Sequence, residues 1–89
     1  MSTKPFKLTI ATPEGIVFDG EVTSLIVPAA EGALGVWANH APLVATLREG
    51  RLTYRSPDGA ERTGTVSGGT VEVLKNRATI LTSRWGSAA

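Results

Sequence analysis

Short runs of alternating apolar and polar residues recur along this 89-residue chain, and period-two alternation marks strands with one buried face. Lys7-Leu8-Thr9-Ile10-Ala11 alternates, Pro13-Glu14-Gly15 turns the chain, and Ile16-Val17-Phe18 resumes before a second turn signal at Asp19-Gly20. Glu21 to Val27 is predicted as one long strand through the centre of a sheet. Its Leu25-Ile26-Val27 end is apolar enough for burial on both faces near Pro28. Leu43 to Leu47 forms a strand bounded by Arg48-Glu49-Gly50, and Arg51 to Arg55 alternates with Leu52 and Tyr54 inward. Ser56-Pro57-Asp58-Gly59 makes a turn, because proline suits its second position and glycine its last. Glu61 to Ser67 returns, Gly68-Gly69 breaks or bulges the strand, and Val71 and Val73 flank Glu72. Asn76 with Arg77 forms a tip before Ala78 to Ser83. The expectation is an all-β domain, a β-sandwich of two packed sheets with about ten short strands.

The segment Glu31 to Leu43, EGALGVWANHAPL, breaks this rhythm. Gly32 and Gly35 permit positive φ or close backbone approach, and Pro42 biases Ala41 toward extended geometry. It reads as a shaped loop carrying a contact surface. Trp37 within it is equally suited to anchoring a protein partner and to packing over the open end of the sandwich.

Eighty-nine residues make one domain and one small core, taken as residues 5–84 with 85–89 as a short tail. A chain of this size buries roughly 60 to 65 percent of its unfolded surface, so a partner would add usefully to its stability. A charged fraction of 19% beside 42% hydrophobic residues argues against disorder. The net charge of +1, with dispersed basic residues, points away from nucleic acid and from polybasic membrane binding. Arg48, Arg51 and Arg55 read as a solvated hairpin rim. The absence of cysteine excludes disulfides and thiolate metal sites. No apolar run reaches membrane-spanning length, and residues 1–7 do not read as a secretory signal.

Catalysis finds little support. His40 is the sole imidazole, the carboxylates show no spacing for acid and base work, and Gly68-Gly69 lacks the lysine and hydroxyl of a phosphate loop. No catalytic residue, metal site or cofactor is expected. The five aromatic residues, Phe6, Phe18, Trp37, Tyr54 and Trp85, leave open a free-standing ligand- or carbohydrate-binding sandwich, which needs exposed rings beside a groove. A small hydrolase would need His40 within reach of a carboxylate and a nucleophile.

Several motifs in order carry a resemblance: Thr12-Pro13-Glu14, Val17-Phe18-Asp19-Gly20-Glu21-Val22, Val27-Pro28, Glu31-Gly32-Ala33-Leu34-Gly35-Val36, His40-Ala41-Pro42-Leu43, Val66-Ser67-Gly68-Gly69 with Val71-Glu72-Val73, and Asn76 before Thr79-Ile80-Leu81. From Leu8 to Leu81 the chain resembles the amino-terminal β-sandwich of the epsilon subunit of F-type ATP synthase. The resemblance implies a ten-stranded sandwich in the central stalk, a non-catalytic rotor part coupling proton or sodium transport to ATP synthesis. It implies a c-ring-binding set of Pro28, Ala29, Ala30, Glu31, Gly32, Ala33 and Leu34, and a gamma-subunit-binding set of Thr12, His40, Ala41, Pro42, Leu43 and Ala45. A charge at His40 or Leu43 is expected to weaken gamma binding and spare the fold. The implied location is peripheral, on the cytoplasmic face of a bacterial inner membrane or an equivalent energy-coupling membrane, without direct insertion.

Two features depart from that family. Ala33 stands where the family often has the second acid of Glu-Gly-Glu-Leu-Gly, so contact with the polar c-ring loops is expected to depend more on shape and less on charge. Trp85 to Ala89 replaces the usual acidic run, and no helical hairpin follows. Neither inhibition of hydrolysis nor ATP sensing is expected of this chain.

Overall fold

The computed structural model describes residues 4–87. Eight strands follow in order: β1 (Phe6–Thr12), β2 (Gly15–Val22), β3 (Ser24–Ala29), β4 (Gly32–Val36), β5 (Leu43–Arg55), β6 (Glu61–Leu74), β7 (Arg77–Leu81) and β8 (Trp85–Ser87). Hydrogen bonds join them along one path, β2-β1-β7-β6-β5-β3-β4, with β8 pairing on β6. The β1–β7 pair is parallel and every other pair is antiparallel.

The path becomes a sandwich because β5 and β6 belong to both layers. Leu43–Leu47 pairs with residues 69–73 of β6, which continue to β7, β1 and β2. Glu49–Arg55 pairs with Glu61–Ser67, flanked by β3 and β4 on one side and β8 on the other. Phe6, Leu8, Ile10, Val71, Val73, Ala78 and Ile80 of the first layer meet Leu25, Val27, Val36, Leu52, Tyr54 and Val66 of the second in one core. Such a core is the main source of stability, each fully buried aliphatic side chain being worth about 1.5–3 kcal/mol.

The ladder bends at Gly68 and Gly69, whose φ values are 110° and 114°. Residues with a Cβ reach that region only at a cost. Leu47 faces Gly69 and Glu49 faces Ser67, so each strand advances two residues across the bend and none is inserted. Gly68-Gly69 therefore bends β6 without bulging or ending it. The expected break at Arg48-Glu49-Gly50 likewise lies inside β5. Those two continuities merge four expected strands into β5 and β6, while β4 and β8 add two that were not expected, so the count stays near the expected one; uninterrupted pairing outweighs the local preference of charged residues and glycine for a turn. Arg48, Arg51 and Arg55 accordingly lie along one strand, and only Arg55, paired with Glu61 at 3.4 Å, sits beside a hairpin turn.

Other local expectations are corrected in the same way. Asp19-Gly20 lies within β2, where Asp19 accepts a hydrogen bond from the Thr9 hydroxyl at 3.1 Å. The predicted strand over Glu21 to Val27 is divided at Thr23, whose N–H donates to the Arg55 carbonyl at 2.8 Å. Ile26 is 44% exposed between buried Leu25 and Val27, so β3 is open on one face at Ile26, whereas Val27, Pro28 and Ala29 are all buried and both faces close near Pro28 as expected. Five of the thirteen residues of the expected loop, Gly32–Val36, form a strand. Trp85–Ser87 of the expected tail is β8, and Trp85 packs on the core; residues 88 and 89 of that tail lie outside the described residues.

Two turns follow the chemistry of their residues. Ser56 donates its N–H to Ala60 and accepts from the Gly59 N–H, while Asp58 accepts from the Ala60 N–H at 3.0 Å. Lys75 and Asn76 (φ 52° and 61°) form the two-residue β6–β7 turn between paired Leu74 and Arg77. Positive φ at both central residues matches the twist of the strands it joins.

Candidate docking surfaces

Ala30 and Glu31 form the two-residue turn of the β3–β4 hairpin, and the Ala30 N–H is held by the Thr46 carbonyl of β5 at 2.9 Å. Of the c-ring set, Ala30, Glu31 and Ala33 are exposed and Gly32 is half-buried. Pro28 and Ala29 are buried, and Leu34 packs against the core. The surface this set offers is thus the tip with the exposed Ala33 of β4 beside it. It borders a shallow pocket lined by Ala29, Ala30, Glu31, Val44, Ala45 and Thr46, which places Ala45 of the gamma set beside it.

The gamma set is spread over the first layer. Thr12 ends β1 near the bend. His40, Ala41 and Pro42 belong to the β4–β5 loop at the opposite end, where the Asn39 N–H is bound by the Asn76 side chain at 2.8 Å. Ala41 and Pro42 are exposed and His40 is half-buried. The imidazole Nδ1 lies 2.7 Å from the Ala41 carbonyl, a local bond that orients the ring along its own loop.

Leu43 and Ala45 pack inward against the core, whereas Val44 between them is 72% exposed. Four of the five residues from Leu43 to Leu47 are apolar, so alternation does not reveal which face is which; only the pairing with β6 does. On the outward face the ladder aligns Thr46, Thr70, Leu81, Ala11 and Ile16 across β5, β6, β7, β1 and β2. Leu81 is 53% exposed and Ile16 66%. Thr12 joins this strip through an open groove that it lines with Ala11, Pro13, Gly69, Thr70 and Leu81. Sequence reasoning missed Val44, Leu81 and Ile16, because exposure of a single apolar residue has no local signature.

Trp37 lies over its own strand: a Cβ on Gly35 would stand 2.6 Å from the indole ring. It follows buried Val36, so it continues the outward row of β4. The indole therefore rests on the outer face of the second layer and does not close the end of the sandwich. Its Nε1–H is enclosed and has no hydrogen-bond acceptor.

A groove of about 460 Å³ opens between β2 and the second layer, lined by Val17, Phe18, Tyr54, Arg62, Thr63 and Trp85 among others. Phe18 and Tyr54 meet across the layers with ring centroids 4.6 Å apart, tilted by 36°. Tyr54 is buried and belongs to the core, and Phe18 and Trp85 pack against it. These rings hold the layers together, and although they line the groove none of them is exposed. Burial pushes the Tyr54 hydroxyl above its ordinary pKa of 10.0, opposed by the nearby positive charge of Arg62. The neutral phenol is thus favoured in the folded state, and its contribution is fully present below pH 10. It is lost as pH rises from there through the folded pKa, where the unfolded chain ionises first. Denaturant titrations at increasing pH should show wild type losing more stability above pH 10 than Tyr54→Phe, with the two curves parallel below it.

Residues 5–87 match the β-sandwich domain of the ATP synthase delta/epsilon chain family. An ATP synthase epsilon chain of Dichelobacter nodosus is 42% identical over 89 residues, all of this chain and 62% of that protein. One from Chlorobium limicola is also 42% identical, over 91% of this chain and 92% of its own length. The chain thus spans somewhat less than two thirds of the first relative and nearly all of the second. No helix among the described residues is long and apolar enough to cross a membrane. A chain of the Euglena gracilis mitochondrial ATP synthase superposes with a TM-score of 0.89 at 24% identity, covering 93% of this chain and 53% of that one. A chain from the Tetrahymena thermophila central stalk and c-ring structure gives 0.79 at 19% identity, over 98% of this chain and 69% of that one. By its sequence match, and with the same sandwich, the chain belongs to the β-sandwich family of ATP synthase delta and epsilon chains.

Proposed function

We propose that this domain is a non-catalytic module of the rotor stalk of an ATP synthase, peripheral to its membrane on the cytoplasmic face. It binds the gamma subunit through the outward face of its first layer and the polar loops of the c-ring through the Ala30-Glu31 tip. Rotation-driven coupling of ion transport to ATP synthesis asks of such a module stiffness and broad contacts. A two-layer sandwich whose longest strands run through both layers meets the first demand.

The observation that carries this reading is the set of exposed apolar residues on one face: Leu81, Ala11 and Ile16 adjoin in one row, and Val44 stands on the same face across Thr70 and Glu72 of β6. Large apolar side chains left exposed together on one face suit a protein contact. At the tip, Ala33 leaves Glu31 as the one acid of β4 and its turn, so the c-ring contact is governed by shape and depends weakly on salt. His40, Ala41 and Pro42 form the far margin of the gamma surface, and Thr12 the near one.

Calorimetric titration with the gamma subunit encoded by the same genome tests the proposal. One-to-one saturable binding is expected, and Val44→Asp should weaken it by about tenfold or more, as truncation of a central contact does. Because Val44 is exposed, its melting temperature should stay close to wild type. Leu43 is unsuited to that test, since a charge there would enter the core. Silence from wild type with both proteins folded would refute the stalk reading.

A further inference from the structure

The groove between β2 and the second layer has a polar side that its aromatic rings do not explain. Tyr54 and Arg62 stand directly opposite one another on β5 and β6, and Gly64 stands opposite Ser87 of β8. Residues two apart on a strand share a face, so the phenol, the guanidinium and the Ser87 hydroxyl lie on one side of the layer. Ser56, just past the end of β5, adds a second hydroxyl to the same wall. The Trp85 indole fills the space that a Cβ on Gly64 would need and forms the wall beside them.

Tyr54 is only 8% exposed. Its hydroxyl has no hydrogen-bond partner among the described residues, yet it is not sealed in, since the one enclosed and unpartnered side-chain polar atom among them is Trp37 Nε1. A buried polar group without a partner is costly, and the groove is the side on which this one is open. Arg62 makes no ion pair among the described residues, and the Ser56 and Ser87 hydroxyls make no hydrogen bond. The one carboxylate lining the groove, Glu61, is engaged by Arg55 at 3.4 Å. Burial keeps the phenol neutral and the Arg62 charge reaches it, so both offer donors to the same space.

We propose that this groove is an anion site that takes a phosphate group, held by the Arg62 guanidinium and the Tyr54 hydroxyl. The donors set the ligand class. A guanidinium, a phenol and two serine hydroxyls offer more N–H and O–H than the roughly four lone-pair positions of a carboxylate accept, whereas a tetrahedral phosphate carries acceptor oxygens on several sides. The volume of about 460 Å³ exceeds what a free ion fills and leaves room beside Phe18 and Trp85 for the organic part of a phosphate ester. The lining shares no residue with the c-ring or gamma sets, so the site does not depend on the stalk reading.

NMR titration of the wild-type chain at constant ionic strength and near-neutral pH tests it, with inorganic phosphate, phenyl phosphate and acetate as probes. Saturable shifts of the Tyr54, Arg62 and Ser87 amides are expected with phosphate, at an affinity of order 1 mM, and acetate should bind about tenfold more weakly or less. Tyr54→Phe keeps the ring, and Arg62→Gln alters an exposed side chain. Each should weaken phosphate binding about tenfold or more, as loss of a hydrogen bond to a charged group does, with amide shifts away from the groove unchanged. Tighter binding of phenyl phosphate assigns the site to a phosphate ester and equal binding to the free ion, and either upholds it. Shifts that never saturate, acetate bound as tightly as phosphate, or phosphate binding unchanged in both variants would overturn it.

Discussion

Replacing Gly69 with alanine is expected to lower the melting temperature by more than 10 °C. Gly69 holds φ at 114°, and a Cβ there would run into the carbonyl of Leu81 and stand 3.0 Å from Thr82 Cα. Both obstacles are backbone, so neither can swing aside. Left-handed strain alone costs about 1–2 kcal/mol, and overlap with a fixed main chain adds at least as much. A loss of about 3 kcal/mol corresponds to roughly 12–24 °C for a domain under 100 residues. Gly59→Ala is the control: its φ is 93° but no atom lies within 4 Å of the added Cβ, so it carries the conformational cost without the clash. Thermal melts of the two variants separate the contributions, and equal shifts would show that the bend tolerates a side chain.

Leu25→Ala is the second large effect, with an expected loss of about 2–5 kcal/mol, the range for deleting a buried leucine side chain. Leu25 is fully buried and packs in the cluster that joins the layers. Typical stability is of order 0.05–0.15 kcal/mol per residue, so this variant approaches the whole margin of the domain. Ile26→Ala, one residue on and 44% exposed, should cost under about 1 kcal/mol. Chemical denaturation of the pair measures the contrast. Comparable losses would mean that both faces of β3 are buried already at Ile26, and not only near Pro28.

The legible parts of the sequence are those where polar residues interrupt apolar ones. Leu52 and Tyr54, separated by Thr53, are inward as alternation requires, as are Val71 and Val73 around Glu72. The turns at Ser56-Pro57-Asp58-Gly59 and near Asn76 could be placed because their residues favour the needed backbone angles. Legibility failed where the run is wholly or nearly apolar, as from Leu43 to Leu47 and at Leu25-Ile26-Val27. The docking residues suffered from the same degeneracy: the gamma-binding set implied by the resemblance holds Leu43 and Ala45, while Val44 between them faces solvent.

The sequence by itself determined the all-strand character, the positions of several turns, and the membership of most of the core, because these depend on the conformational preferences of nearby residues and on period two. Only the tertiary structure decided that β5 and β6 run unbroken through both layers, that Gly68-Gly69 bends a strand, and that β4 ends the strand path. Each depends on which strand lies alongside, a long-range pairing. At Gly68-Gly69 the ladder of β5 and the Leu81 backbone hold the chain in an extended bend, where the local preference is a turn.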